Sequence, residues 1–131
     1  DKLGVFAYGK EARRFTQEVC HKADEELFRT ALALRNSYEK GSVTEGVIGT
    51  ADSWNCQVDR VLFLHDFYGT AVEEMEGDAV AHICQTYDVP FLTIRVVSNT
   101  VFAGDVDWDL AVGTALQEYV LAVAEAYMKK R

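Results

Sequence analysis

With 131 residues, 49% of them hydrophobic, the chain has the length of one ordinary domain and enough apolar material for a core, which excludes a disordered segment. A count of 13 basic against 21 acidic side chains gives a formal net charge of −8, which excludes a broad nucleic-acid surface, since that needs clustered Lys and Arg. No apolar run approaches the ~20 residues that cross a bilayer.

The 3 cysteines, Cys20, Cys56 and Cys84, have neither disulfide-framework nor zinc-site spacing, and they read as buried free thiols of a reducing compartment. No signal peptide is visible, so a cytoplasmic location is expected, and the start at Asp1 leaves a processed or secreted form open.

Short β-like apolar runs alternate with longer helical ones, the pattern of an α/β domain. Leu3 to Tyr8 reads as a strand. Lys22 to Tyr38 reads as a helix with Asp24, Glu25 and Glu26 in its first turn and Leu27, Ala31 and Leu34 on one face. Val43 to Ala51 reads as a strand that closes on the small residues Gly49, Thr50 and Ala51. Gln57 to Asp66 reads as a helix ended by Gly69, with Val58, Val61, Leu62 and His65 inward. Ala71 to Glu74 is a short strand, and Glu76 to Tyr87 a helix with Val80, Ile83 and Cys84 on one face. Pro90 opens the strongest strand, Phe91 to Val97, whose apolar character predicts burial on both faces. A last helix, capped by Asp105 or Asp107, runs to about Tyr127 on Leu110, Ala111, Leu116, Val120, Leu121 and Ala124.

Strand and helix in succession imply crossovers, and open α/β sheets bind ligands beyond the carboxyl ends of their strands. Polar residues follow an apolar run at Thr50-Ala51-Asp52, at Glu73-Glu74-Met75-Glu76 and at Ser98-Asn99. Those strand ends are the candidate site.

Two longer stretches carry a resemblance. One is Val72-Glu73-Glu74-Met75-Glu76-Gly77-Asp78-Ala79-Val80-Ala81; the other is Val89-Pro90-Phe91-Leu92-Thr93-Ile94-Arg95-Val96-Val97-Ser98-Asn99. Together they resemble the signature of the purine nucleoside phosphorylase and nucleosidase superfamily. Upstream, Gly49-Thr50-Ala51-Asp52-Ser53-Trp54 is similar to a strand end of that family, and Lys22-Ala23-Asp24-Glu25-Glu26-Leu27 to one of its helix starts. The resemblance implies a three-layer α/β sandwich, a mixed twisted sheet with flanking helices. Residues 1–131 would be a C-terminal portion of it, a half-domain.

By position, the resemblance makes Glu76 the carboxylate that accepts from the ribose 2′- and 3′-hydroxyls, charged where an oxocarbenium-like transition state develops. Met75 would pack beneath the ribose. Trp54 would stack on the purine. Ser98 would hold the residue after it, and Glu74 would be a strand-end neighbour facing away. Glu76 read without the motif is simply a carboxylate complementing a helix N-terminus.

Two departures stand out. The nucleosidase branch carries an aspartate after the serine, to protonate purine N7. Here the residue is Asn99, whose amide donates hydrogen bonds but transfers no proton at neutral pH. An asparagine serves the trimeric phosphorylases in this capacity for 6-oxopurines. The second departure is the family's first half, which supplies the carboxylate that activates water or the residues that bind phosphate, and which has no counterpart here.

The expected function is therefore purine nucleoside binding and N-glycosidic cleavage within a larger protein, with Asn99 and Glu76 as catalytic residues. The alternative is a nucleoside-binding or storage module without turnover. Neither metal nor organic cofactor is implied, phosphate is open as a co-substrate, and the partners are a purine nucleoside or base, with no nucleic acid and no membrane. Further copies of the chain or a complementing N-terminal half would complete the assembly.

Other constellations have blander readings. His21, His65 and His82 lack metal-ligand spacing, and His82, one turn from Asp78, reads as half of a surface pair or as a ring on a subunit interface. Gly104-Asp105-Val106-Asp107-Trp108-Asp109 begins like a calcium loop, but the glycine and glutamate expected further on are Leu110 and Leu116. That segment reads as a helix cap and lid-like loop, with Phe102 and Trp108 governing access. Arg95 reads as a structural residue of a buried strand that needs a partner. Arg13-Arg14 and the tail Lys129-Lys130-Arg131 are too small for phosphate-backbone binding, and the tail reads as a solvated helix end.

Overall fold

The computed structural model describes residues 2–5, 20–102, 104–105 and 110–130. They divide into two compact units, one of Asp1–Ala23 and Gly46–Thr93, the other of Asp24–Glu45 and Ile94–Arg131.

The first unit is a mixed sheet with flanking helices. Its strands are β1 (Lys2–Val5), β2 (Cys20–Lys22), β3 (Val47–Thr50) and β4 (Thr70–Glu74), in the order β2-β1-β3-β4. β1 is antiparallel to β2 and parallel to β3, and β3 is parallel to β4. Parallel neighbours need crossovers. The crossover from β3 to β4 is helix α1 (Val58–Tyr68), and helix α2 (Gly77–Thr86) follows β4. α1 contacts β4, while α2 contacts β1 and β2.

Each helix end has a local cause. Gly69 closes α1 in the left-handed region at φ 71°, and its N–H donates to the His65 carbonyl at 2.8 Å. His65, expected inward, is exposed, with Nδ1 3.1 Å from the Thr70 carbonyl. α2 ends in a Schellman motif: the Val89 N–H reaches the Cys84 carbonyl at 2.8 Å, the Asp88 N–H reaches Gln85, and Asp88 itself takes φ 54°. Pro90 then forbids any return to helix.

The buried helix faces differ from the expected ones. Leu64 is the buried residue of α1, whereas Val58 and Leu62 are exposed. On α2, Gly77 and Ala81 are buried, Cys84 is half-buried, and Val80 and Ile83 are exposed. α1 is apolar on several sides, so its period selects no single face. On α2 the smallest side chains take the face that lies closest to the strands. Two of the three thiols are also exposed: Cys20 sits on the outermost strand, β2, and Cys56 in the loop before α1.

Among the described residues the expected strand over 91–97 does not form. Those residues join no ladder, the run from Phe91 to Ile94 is only half-buried, and Arg95 is exposed, with Nη1 donating to the Ile94 carbonyl at 3.3 Å. Apolar character favours burial, but a strand also needs a neighbour whose backbone groups match its own. The expected β1 extension over 6–8 and the pair Arg13-Arg14 lie outside the described residues.

The second unit pairs helices α3 (Glu25–Ala33) and α4 (Leu110–Met128), with a short hairpin of β5 (Asn99–Thr100) and β6 (Gly104–Asp105). Asp24 caps α3 by accepting from the Leu27 N–H at 2.8 Å. α3 stops at Ala33 and tightens into a 3-10 turn, Arg35–Ser37, so it falls short of Tyr38. α4 buries Tyr119, Val123 and Tyr127, a stripe at i, i+4 and i+8, while Val120 and Leu121 face out. The sequence of α4 is apolar nearly all round, and the two tyrosines decide the face. The Tyr119 hydroxyl donates to the Ala31 carbonyl at 2.7 Å, and the Tyr38 ring stands edge-on to Tyr119 at 6.0 Å. Lys130, expected to be solvated, donates through Nζ to Thr30 Oγ1 at 2.8 Å. Asp107, Trp108 and Arg131 lie outside the described residues, and with them the cap of α4 and most of the calcium-like loop.

Burial raises the Tyr119 pKa above its ordinary value of 10.0. The folded protein therefore holds this proton more tightly than the unfolded chain. That contribution to stability is complete below about pH 10 and is lost as pH rises through the folded value. Tyr119→Phe should cost about 1 kcal/mol at neutral pH, and the gap from the wild type should narrow above about pH 10, as read from urea midpoints. Asp88→Gly should raise the urea midpoint by roughly 0.5–1 kcal/mol of stability, because glycine takes the left-handed position without a Cβ clash.

Candidate functional site

Two of the three polar strand ends lie side by side. Thr50 and Glu74 are register partners at the carboxyl ends of β3 and β4, and the Ala51 N–H donates to the Glu74 carbonyl at 3.1 Å. This is where a parallel sheet presents a ligand site.

Glu74 does not face away, as expected of a bystander. Its carboxylate takes three kinds of donor. The Thr50 hydroxyl donates to Oε1, the Gly77 N–H lies 2.8 Å from both oxygens, and the Glu76 N–H reaches Oε2 at 3.2 Å. A helix start leaves its first N–H groups without intrahelical partners, and a carboxylate there satisfies both the hydrogen bonds and the dipole. The approach is close: a Cβ on Gly77 would meet Glu74 Oε1 at 2.7 Å. Glycine leaves the room that the carboxylate occupies.

Glu76 stands at the N-cap of α2, yet its side chain makes no capping hydrogen bond. The role of helix-end carboxylate belongs to Glu74. Glu76 is exposed and Met75 is 43% exposed, both in the bend between β4 and α2.

Trp54 lies in the loop between β3 and α1, 65% exposed. Its neighbour Asn55 ties that loop down. Asn55 Nδ2 donates to the Glu73 carboxylate at 3.2 and 3.3 Å, and Asn55 Oδ1 accepts from the Gln57 N–H at 3.2 Å. So Trp54, Met75 and Glu76 belong to the first unit, at the ends of adjacent strands. Ser98 and Asn99 belong to the second. There Ser98 is exposed, and Asn99 is half-buried at the start of β5, opposite Asp105.

The start of α2 has a second tie. His21 Nε2 of β2 lies 3.3 Å from Asp78 Oδ1, and the His82 ring stands edge-on to His21 at 5.9 Å. Sequence spacing pairs His82 with Asp78, but the partner is His21, which only the sheet order brings near. Sequence reasoning also missed Glu74 and Thr50 as working residues. Both stand at polar strand ends in the sequence, but their pairing depends on the register of β3 and β4.

The family model of the phosphorylase superfamily matches residues 3–129. A 5′-methylthioadenosine/S-adenosylhomocysteine nucleosidase of Bacillus thuringiensis is 39% identical over 79 residues, which cover 60% of this chain and 34% of that protein. The S-adenosylhomocysteine nucleosidase structure from Streptococcus pyogenes superposes with a TM-score of 0.75 at 20% identity, over 96% of this chain and 58% of that one. Futalosine hydrolase of Helicobacter pylori gives a TM-score of 0.72 at 23% identity, over 95% of this chain and 56% of that one. Sequence similarity thus spans about a third of the curated relative's length, and structural similarity somewhat over half of each solved chain. The solved structures share the mixed α/β fold, and the family match over nearly the whole chain makes this protein a member of the phosphorylase superfamily.

Proposed function

We propose that the protein binds a purine nucleoside at the carboxyl ends of β3 and β4 and takes part in cleaving its N-glycosidic bond. The observation that carries this reading is the exposed Glu76 carboxylate, which makes no capping hydrogen bond while Glu74 faces the start of α2. A carboxylate free of local hydrogen bonds at a strand end can accept from two vicinal hydroxyls. Charge held there favours the oxocarbenium-like transition state over the neutral ground state. The relatives' names, nucleosidases for 5′-methylthioadenosine and S-adenosylhomocysteine, support a purine nucleoside as the substrate class.

In this reading Met75 packs beneath the ribose, Trp54 stacks on the purine, and Ser98 orients Asn99. Asn99 donates a hydrogen bond to N7 of the leaving base and engages the 6-position with its other amide atom. It lends leaving-group help without transferring a proton. Cleavage also needs a nucleophile, water in a hydrolase or phosphate in a phosphorylase. The residues that activate it belong to a complementing N-terminal half or to further copies of the chain. Residues 1–131 then act as the C-terminal portion of a nucleoside phosphorylase-like domain, with no organic cofactor.

Asn99 in place of a proton-donating aspartate favours a second reading, a nucleoside-binding or storage module without turnover. Chromatographic detection of purine-base release separates the two. The chain is incubated with adenosine, inosine and methylthioadenosine, with and without phosphate. Release supports the enzyme, and its phosphate dependence names the reaction. Binding without release, persisting after an N-terminal half is added, supports the storage module.

Glu76→Gln should weaken nucleoside binding roughly ten- to a hundredfold and leave free-base binding nearly unchanged, as read by calorimetry. Equal losses for both ligands would refute the ribose role. Asn99→Asp should shift preference from 6-oxopurine toward 6-aminopurine nucleosides by roughly tenfold or more. An unchanged ratio of adenosine to inosine affinity would show that residue 99 does not touch the base.

A further inference from the structure

We infer that Thr50 and Glu74 form a positioning pair for Glu76, so that the preference for a nucleoside over its free base depends on a hydroxyl and a carboxylate that never touch the ribose. The inference rests on the reading that Glu76 meets the sugar.

Glu76 occupies the N-cap of α2, where a side-chain acceptor ordinarily turns back onto the N–H groups two and three residues on, here those of Asp78 and Ala79. A carboxylate so engaged would point along the helix and would already have donors. Here a neighbouring carboxylate already faces the helix start, and Glu76 makes no capping hydrogen bond. Glu74 holds Gly77 N–H through both oxygens at 2.8 Å and Glu76 N–H at 3.2 Å. The Glu74 carboxylate is itself pinned, because Thr50 donates its hydroxyl to Oε1 from the neighbouring strand and is 6% exposed. The backbones beneath are locked by the Thr50–Glu74 register and by the Ala51 N–H on the Glu74 carbonyl.

Two effects then act on Glu76. With the Glu74 carboxylate already set against the positive end of the helix, Glu76 gains less by turning inward, which leaves its oxygens for an external donor. The like charge of Glu74, two residues away, also disfavours an inward-turned Glu76 carboxylate. Without Glu74, the helix start would lack its carboxylate, and Glu76 would be the nearest replacement, turned onto the N–H groups of Asp78 and Ala79. It would serve the helix at the expense of the ligand. Removing the Thr50 hydroxyl loosens the same carboxylate while keeping its charge and the bulk of the side chain.

The experiment is calorimetric titration of the full chain with inosine and with hypoxanthine, and with adenosine and adenine. The variants are Thr50→Val, Glu74→Ala, Glu76→Gln and the double change Glu74→Ala with Glu76→Gln. Circular dichroism confirms that each is folded at the titration temperature. The readout is the ratio of base Kd to nucleoside Kd, which loss of folded protein alone would not move. Glu74→Ala should lower the ratio by roughly tenfold and Thr50→Val by a smaller factor in the same direction. Glu74→Ala should lower it no further once Glu76 is Gln, the coupling expected of residues acting through one another. A ratio that falls with Glu76→Gln but stays fixed in both Thr50→Val and Glu74→Ala overturns the positioning role alone. A wild type with no preference for nucleoside, or with no binding of either ligand, overturns the ribose role and this inference with it. Thr50→Val is nearly isosteric and keeps the Glu74 cap, so it remains a test even if Glu74→Ala does not fold.

Discussion

The first unit depends on how the opening turn of α2 satisfies its amides. Those N–H groups have no partners within the helix, and leaving them unpaired would cost more than any single hydrogen bond returns. Glu74 answers from the strand that immediately precedes the helix. His21 and Asp78 add a second tie from β2, at the far side of the sheet order from β4. One helical turn is thereby fastened to both outer strands, with the contacts to β1 between them. The Met75–Glu76 bend is the short span left over, and its geometry follows from those fastenings.

Much of the architecture was legible in the chain. Gly69 announced the end of α1 and the alternation of apolar periods the α/β class, because each reports a local preference that tertiary contacts did not overrule; the helix read from Lys22 starts later, behind the Asp24 cap, because Lys22 pairs in β2. The parts that were not legible depend on neighbours. Val80 and Ile83 have the right spacing for a buried stripe, yet Gly77 and Ala81 hold that face, since the nearest approach of helix to strand rewards small side chains. Phe91 to Ile94 is apolar enough for an inner strand but joins no ladder. Cys20–Lys22 went unread as a strand because three residues carry too little period to register, and the antiparallel pairing with β1 defines it.

The candidate site divides the same way. Glu76, Met75 and Trp54 could be singled out from a motif, because residue type and spacing carry their roles. Glu74 and Thr50 could not, because they are 24 positions apart and meet only through strand register. Ser98 and Asn99 were found by motif as well, yet Asn99 opens a two-residue hairpin arm and Ser98 precedes it, where a long buried strand was expected to end.

Successive side chains of a strand point to opposite faces of its sheet. At the end of β4, Glu73 serves the loop that carries Trp54, and Glu74 serves the start of α2. Two tasks are thus assigned by parity along a single strand. Inserting or deleting one residue in β4 would exchange the two carboxylates between faces while leaving composition and charge almost untouched. Evolution of this segment is therefore constrained in its length more tightly than in its apolar content. The irregular pairing at Val47/Ile48 leaves Ala71 of β4 as the extra residue at the far end of the ladder, and the pairing is regular from Ile48–Val72 through Thr50–Glu74, the stretch in which parity counts.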